Sequence, residues 1–391
     1  MLKRLLKIKT FCYEFAREIS SLIDYVIWCI FDLTKFKKIK TNEIKKVLIV
    51  LINQEKGNIG GDFVTLGVLN CFKKQYPKID ISILGDENTI GQFGRLKGIE
   101  LIKYARKESM EKLKKMGFQA AIFMNLGLLK AKDFRFIPYR IGFSHLSLGS
   151  FKKFYKNFFL TRKIHNGLNN HMVDLRFKML EALGFKFKEY KPFLEFTKKE
   201  EKNAKEFLTK NRIEKFIVIH PGGKYVAESY KAGKWPPHLW NLDRYAKVAD
   251  YFSEKEYKII ITGSKDEEIL AKEIIEYSKE KNKIISACGK LSIKEVGALL
   301  KKSDLLIATD TAIVHLAYQN LINAKIVELI GPSIPEVVGA WPLNSKKHKI
   351  LVDKGPCCRS MRKLPFKDNY NCLKNIKVED VIKAGEDLLK L

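Results

Sequence analysis

No run of this 391-residue chain approaches the roughly 20 consecutive apolar residues needed to cross a bilayer. The apolar core Y-V-I-W-C-I-F between Asp24 and Asp32 is far too short, and charged residues interrupt its surroundings. With no small-residue cleavage site after it, a secretory signal is a poor fit. There is no G-x-x-x-x-G-K-[ST] loop and no convincing G-x-G-x-x-G, so ATP hydrolysis and dinucleotide redox chemistry both lose support. Cysteine is sparse, with seven residues and no two C-x-x-C pairs. Cys12, Cys29, Cys71 and Cys288 lie in apolar surroundings, as small hydrophobes do. Cys357, Cys358 and Cys372 cluster near the end, at the wrong spacing for a zinc knuckle. Reduced, structural or locally bridged thiols remain, which predicts a reducing cytosolic compartment. Short repeats, low-complexity tracts and recognised nucleic-acid modules are also missing. The lysines are dispersed along the chain, which argues against a non-enzymatic protein that binds nucleic acid.

What the chain has in excess is positive charge. Lys and Arg number 73 against 44 Asp and Glu, a formal charge of +29. Such a surface attracts something acidic, whether nucleic acid, anionic lipid headgroups or phosphorylated glycan. The length suits two ordinary domains, and 46% hydrophobic residues can supply a core for each. Three segments are expected: an extension over 1–45, a first domain over 46–195 and a second over 196–391. The extension opens M-L-K-R-L-L-K-I-K, closes on K-F-K-K-I-K and carries Trp28, Phe31 and Phe36 among its apolar positions. This is the pattern of amphipathic helices lying in an anionic membrane surface; packing on the protein's own core or on a partner is the alternative.

Beyond the extension the chain alternates strand and helix. Strands are expected at 46–52, 79–84 and 120–124, with helices over Asp62–Tyr76 and His171–Gly184. A polar connector rich in Lys and Glu, 198–205, leads to a second series. Its strands are expected at 216–220, 258–262, 283–287, 304–309 and 325–330, with helices near 242–252, from Asp266, from Ser292 and after Thr311. Alternation of this kind predicts two doubly wound α/β units with parallel sheets and a cleft between them.

Four turns after strands of the second unit carry unusual chemistry: His220-Pro221-Gly222-Gly223-Lys224, Gly263-Ser264-Lys265-Asp266-Glu267, Thr309-Asp310-Thr311 and Gly331-Pro332-Ser333. Each alone is ordinary punctuation or helix capping. Together they crowd one sheet edge, where helix N-termini and glycines admit an anion. Thr311 and the amides of its helix suit phosphate oxygens, and an acid such as Glu267 suits ribose hydroxyls. The pattern describes a pocket for a nucleotide diphosphate. The first unit offers G-N-I-G-G-D-F-V-T-L (57–66), in which Asp62 is either a helix N-cap or a carboxylate aimed into the cleft.

These stretches resemble glycosyltransferase family 9, the ADP-heptose:lipopolysaccharide heptosyltransferases and their relatives. The resemblance runs from about Val47 to the C-terminus through G-G-D-F-V-T-L-G-V-L, R-I-G-F (140–143), H-P-G-G-K, K-W-P-P-H-L-W (234–240), I-T-G-S-K-D-E-E, D-T-A-I-V-H-L-A and G-P-S. It implies the GT-B fold, two Rossmann-like domains facing across a cleft, with a terminal helix, here Val378–Leu389, packing back on the first domain. By resemblance Asp62 is the catalytic base, Glu267 binds ribose, and Asp310, Thr311 and His315 belong to the donor-site motif D-T-G-x-x-H. His315 has a plainer role open to it, a hydrogen bond within the turn that orients Asp310. Ala312 stands where that motif has glycine. Gly233 stands where the family carries its phosphate-binding lysine, leaving Lys231 and Lys234 as substitutes and Lys224 as a further candidate.

The implied reaction is inverting transfer of heptose from ADP-heptose to a Kdo or heptose acceptor of the lipopolysaccharide inner core. Transfer of another nucleotide sugar to a cell-surface glycan is the alternative. No cofactor or metal is implied, and there is no D-x-D of the metal-dependent glycosyltransferases. The implied acceptor is lipid-anchored at the cytosolic face of the bacterial inner membrane. An enzyme acting on it gains encounter rate from staying on that surface, as a cytoplasmic, peripheral protein.

The basic flanks Lys3, Arg4, Lys7, Lys9, Lys35, Lys37, Lys38 and Lys40 are each expected to contribute up to about 1 kcal/mol near anionic lipid. Deleting residues 1–45 is expected to leave the catalytic fold intact and abolish most binding to anionic liposomes. Activity should fall more on membrane-embedded than on detergent-dispersed acceptor. Co-sedimentation at low and high salt, beside both assays, checks this; undiminished liposome binding, or unfolding, makes the segment structural.

Overall fold

The computed structural model describes residues 39–52, 59–87, 98–124, 131–144, 160–165, 170–320, 325–353 and 372–390. The amphipathic extension lies outside the described residues up to residue 38, as do Cys12, Cys29, Cys357 and Cys358. Among the described residues no helix is long and apolar enough to cross a membrane. The chain divides into two compact units, one containing residues 1–58 and 68–191, the other residues 59–67 and 192–391.

The first unit holds β1 (Lys46–Leu51), β2 (Asp80–Gly85), β3 (Ile99–Lys103), β4 (Ala120–Phe123), β5 (Tyr139–Ser144) and β6 (Arg162–His165), in the order β3-β2-β1-β4-β5-β6. Every pairing is parallel. A parallel sheet is covered on both faces, so its central strands read as apolar runs instead of alternating ones. Val47–Leu51 and all of β4 are buried accordingly. Three helices go with this sheet in sequence: α1 (Ile59–Gln75), α2 (Arg106–Lys115) and α3 (Met172–Glu181). After α3 the chain turns at Gly184, φ +90°, where a Cβ would stand 2.0 Å from the Thr41 hydroxyl oxygen. That hydroxyl donates to the Leu183 carbonyl, so the glycine is required both by its backbone angle and by the close approach.

The second unit repeats the plan. β7 (Phe216–His220), β8 (Lys258–Ile261), β9 (Ile284–Ser286), β10 (Leu305–Thr309), β11 (Ile326–Ile330) and β12 (His348–Val352) form an all-parallel sheet in the order β12-β11-β10-β7-β8-β9. The helices in sequence are α4 (Lys198–Lys210), α5 (Lys224–Lys231), α6 (Leu242–Glu254), α7 (Glu268–Tyr277), α8 (Ile293–Leu300), α9 (Ala312–Asn320), the short α10 (Pro335–Val338) and α11 (Val378–Leu389). Trp240 is fully buried in this core. Its indole N–H donates to the Ile376 carbonyl at 3.1 Å and its ring meets Tyr245 edge-on at 4.9 Å, which satisfies the polar tip while the body stays dry.

Three expectations are corrected. The Lys- and Glu-rich segment 198–205 is no connector but the first part of α4. Thr197 Oγ1 accepts the Glu200 N–H, and Glu200 returns a carboxylate to the Thr197 N–H at 2.7 Å, a reciprocal cap that starts the helix. Only Ala204 and Leu208 are buried along it, so its apolar stripe was too thin to read. Second, α1 begins at Ile59, three residues before Asp62, so Asp62 is a first-turn residue and not an N-cap. Third, the terminal helix α11 buries Val381, Ala384, Gly385 and Leu388 in the second unit's own core. Strands β3, β5, β6 and β12 were not read from the sequence. β3 and β12 are edge strands with mixed burial, and the short β6 is half-buried where its side chains are described.

Gly385 tests that packing. A Cβ there would come within 2.7 Å of the Phe252 ring and 3.0 Å of a Leu305 methyl. An ordinary helical Gly→Ala gains about 1 kcal/mol, whereas overpacking against a rigid ring costs about 1–3 kcal/mol. Gly385→Ala is therefore expected to lower the urea midpoint; a raised midpoint would mean that α11 does not sit so close.

Candidate functional site

The strand order puts β7 beside β10, so the chain leaves this pair toward opposite flanks of the sheet, and the carboxyl edge opens between them. The turn His220–Lys224 follows β7 and the turn Asp310-Thr311 follows β10. They are tied together, since the Thr309 hydroxyl donates to the Pro221 carbonyl at 3.3 Å. The turns after β8 and β11 flank them. All four turns singled out in the sequence thus end adjacent strands of one sheet.

On the β8 side, Glu267 closes a single 3-10 turn, Lys265–Glu267, and is 4% exposed. One carboxylate oxygen, Oε2, accepts the Ser264 N–H at 2.8 Å. The other, Oε1, is buried and has no hydrogen-bond partner among the described residues. His220 stands beside it, Nε2 3.9 Å from Oε1, and its Nδ1 pairs with the Thr262 hydroxyl at 3.0 Å. Burial pushes the His220 pKa down, against the opposing pull of Glu267, which favours a neutral ring. Gly263 keeps the turn tight, because a Cβ there would meet Glu267 Cβ at 2.9 Å.

On the β10 side, Thr311 occupies the N-cap position of α9, yet its Oγ1 makes no capping bond and is buried without a hydrogen-bond partner among the described residues. Ala312 is the first residue of α9, and His315 lies one turn further on, 4% exposed and edge-on to Tyr318 at 5.6 Å. Asp310 accepts a hydrogen bond from Ser333, in the turn after β11, and faces the charge of His238. Burial raises the Asp310 pKa and lowers that of His238, while each opposes the shift of the other. The α1 segment 59–67 belongs to this same unit. A Cβ on Gly60 would stand 2.7 Å from the His315 ring and 3.5 Å from the Ala312 Cα, so the start of α1 packs on the start of α9. Asp62, 4% exposed, follows two residues along.

The three lysines separate. Lys224 opens α5 directly after the β7 turn, and Lys231 ends it, 3.7 Å from Asp266 at an exposed site. Lys234 follows Gly233, whose φ is +73°, and its backbone N–H donates to the Ser229 carbonyl at 3.0 Å. Glu267, Asp310, Thr311, Ala312 and Lys224 therefore end or begin elements at one sheet edge, with Asp62 and His315 on packed helices beside it. Sequence reasoning gave no role to His238, although it lies inside the quoted K-W-P-P-H-L-W. It also passed over Glu328, the one charge between the apolar residues of I-V-E-L-I (326–330).

The heptosyltransferase model of glycosyltransferase family 9 matches residues 107–369. A lipooligosaccharide heptosyltransferase 2 of Campylobacter jejuni serotype O:2 is 28% identical over 175 residues, 44% of this chain and 54% of that protein. That match spans about half the length of the Campylobacter relative. Lipopolysaccharide heptosyltransferase 3 of Escherichia coli K12 is 22% identical over 353 residues, 84% of this chain and 95% of that protein. Among solved structures, a family 9 glycosyltransferase from Veillonella parvula superposes with a TM-score of 0.70 at 22% identity, covering 88% of this chain and 97% of that one. The E. coli ADP-heptose lipopolysaccharide heptosyltransferase II gives 0.66 at 16% identity, over 88% and 98% of the two chains.

An unpaired buried hydroxyl costs about 1–3 kcal/mol. Since Thr311 Oγ1 makes no cap, Thr311→Val in the ligand-free protein is expected to be as stable as the unaltered chain or more so, by roughly 1 kcal/mol. Denaturant unfolding checks this. A clear loss of stability would show that the hydroxyl has a structural partner.

Proposed function

This chain belongs to glycosyltransferase family 9, and from that premise we propose that it transfers heptose from ADP-heptose to a Kdo or heptose unit of the lipopolysaccharide inner core, with inversion at the anomeric carbon. The observation that supports the donor half is a pair of atoms with no hydrogen-bond partner among the described residues, Glu267 Oε1 and Thr311 Oγ1, each buried on a turn at one sheet edge. A protein keeps such atoms unpaired at a cost, and a ligand that pairs them recovers it. In this reading Glu267 accepts from ribose hydroxyls, while Thr311 and the free amides at the start of α9 hold the diphosphate.

The reaction then needs three things from the chain. Asp62 takes the proton of the acceptor hydroxyl as its oxygen forms a bond to the anomeric carbon. The bond from that carbon to the phosphate oxygen breaks, and ADP leaves with the electron pair. Fixed N–H groups and a cation stabilise the charge that develops on the departing diphosphate. Lys224, Lys231 and Lys234 are the candidates for that cation, and Lys231 stands 3.7 Å from Asp266 at an exposed site. The acceptor is lipid-anchored, and the extension 1–45 serves to keep the enzyme at the cytosolic membrane face. Ala312 favours one variation, a different nucleotide sugar, because its methyl narrows the approach to the diphosphate where a glycine would leave room.

Asp62→Asn is expected to lower turnover by about 10²–10⁴-fold while ADP affinity stays close to that of the unaltered protein. Turnover near the unaltered rate would remove Asp62 from the chemistry. A donor screen by mass spectrometry with ADP-heptose, UDP-sugars and GDP-sugars on a lipid A–Kdo acceptor separates heptose transfer from the alternative. Alongside it, Lys231→Ala and Lys234→Ala should differ in ADP affinity, since only one reaches the diphosphate; if neither changes it, Lys224→Ala is the next to test.

A further inference from the structure

Beneath the turns that carry Asp310 and Ser333 lies a carboxyl group that the reaction above does not use. Glu328 is the central residue of β11, paired across to Ala308 on β10 and Ile350 on β12. It is 0% exposed. Alternation along the strand sends Val327 and Leu329 into the core on one face and Glu328 to the other. An acid inside a covered strand is expensive unless it holds something in place. Glu328 Oε2 accepts the Ala340 N–H at 2.7 Å, and Oε1 has no hydrogen-bond partner among the described residues.

Ala340 belongs to the segment between β11 and β12, residues 331–347, whose third residue is the Ser333 that donates to Asp310. Asp310 in turn acts electrostatically on Glu328. The far part of the loop is therefore fixed to the strand by Glu328, and the near part is fixed to Asp310 by Ser333. We propose that Glu328 is a positioning residue for Asp310, gripping the Ala340 amide so that the 331–347 loop delivers Ser333 to the Asp310 carboxylate. The inference rests on the donor-site reading of Asp310.

The charges around Glu328 give the grip a pH signature. Asp310 on the β10 turn acts on it, His238 acts on Asp310, and His348 on β12 reaches the backbone of the same Ala340–Pro342 segment. Burial, followed by the Asp310 charge, pushes the Glu328 pKa well above the usual carboxylate range. The folded state thus holds this proton more tightly than the unfolded chain does. The stability it contributes is complete below the unfolded value, about 4.3, and is lost as pH rises through the folded value. Once Glu328 ionises, a second negative charge stands beside Asp310, and an anionic ligand at that turn binds less well.

Three variants test this. Glu328→Gln keeps an oxygen for the Ala340 amide but has no proton to lose. Its urea midpoint in the ligand-free protein should gain on that of the unaltered chain as pH rises from about 5 to 9, and the gain should shrink when Asp310→Asn is present in both. Glu328→Ala, which releases the loop, should weaken ADP binding about fivefold or more across the range, while Glu328→Gln should flatten the alkaline loss of ADP affinity. The proposal is overturned if the Gln and unaltered curves run parallel in both measurements, if Asp310→Asn leaves the gap unchanged, or if Glu328→Ala binds ADP like the unaltered protein. Should the unaltered protein fail to bind ADP, the donor reading fails instead, and the ligand-free curves still decide whether Glu328 and Asp310 are coupled.

Discussion

The placing of β10 against β7 is the constraint from which the second unit's chemistry follows. In a parallel sheet the helices return on either side, and only where successive strands are laid down in opposite directions do the connecting segments part at the carboxyl edge. Here that point lies between β7 and β10, and the Thr309 hydroxyl on Pro221 O joins the two turns across it. The core secures the arrangement from below: Ile217, Ile219, Leu305 and Ile307 are wholly buried with Trp240 and Phe252. Side chains at the edge are therefore fixed by strands that cannot shift without disturbing a packed interior.

Against that rigid background, the polar groups at the edge are conspicuously incomplete. Glu267 uses one oxygen to close its own turn and leaves the other bare, and Thr311 leaves its hydroxyl uncapped. Elsewhere in the same unit some helices begin with complete caps, Thr197 with Glu200 and Ser292 with Glu295 being reciprocal pairs, while α5, α6 and α11 begin with no side-chain cap. An open helix start is therefore not special to α9; what marks this edge is that Glu267 Oε1 and Thr311 Oγ1 are buried there with no hydrogen-bond partner among the described residues.

Much of this was legible because parallel α/β units write their pattern plainly. Apolar runs such as Phe216–Ile219, bounded by turn signals, fit strands covered on both faces, and the glycine-containing turns after β7, β8 and β11 point to the functional edge. What was not legible depends on chemistry between segments far apart in sequence. The helix α4 looked like a linker because two buried residues suffice to hold it. Asp62 looked like a cap because nothing local showed that the helix starts at Ile59. Glu328 hid within an apolar strand, since a sequence shows that an acid is present but not that Ala340, twelve residues on, returns to meet it.

The earlier start of α1 matters for what Asp62 can do. A capping aspartate has its carboxylate occupied by backbone N–H groups, which favour its charged form and weaken it as a base. Asp62, inside the first turn, feels the positive end of the helix. Gly60 then lets α1 approach α9 closely enough for the His315 ring to occupy the space a side chain would need. The helix that carries the acid and the helix that carries Thr311 are thus packed at their starting turns, where both dipoles present their positive ends. Two such ends side by side repel each other unless negative charge lies between or beside them. Asp62 and Asp310 supply some of it, and an incoming diphosphate would supply more, so anion binding there is favoured by the packing of the fold itself.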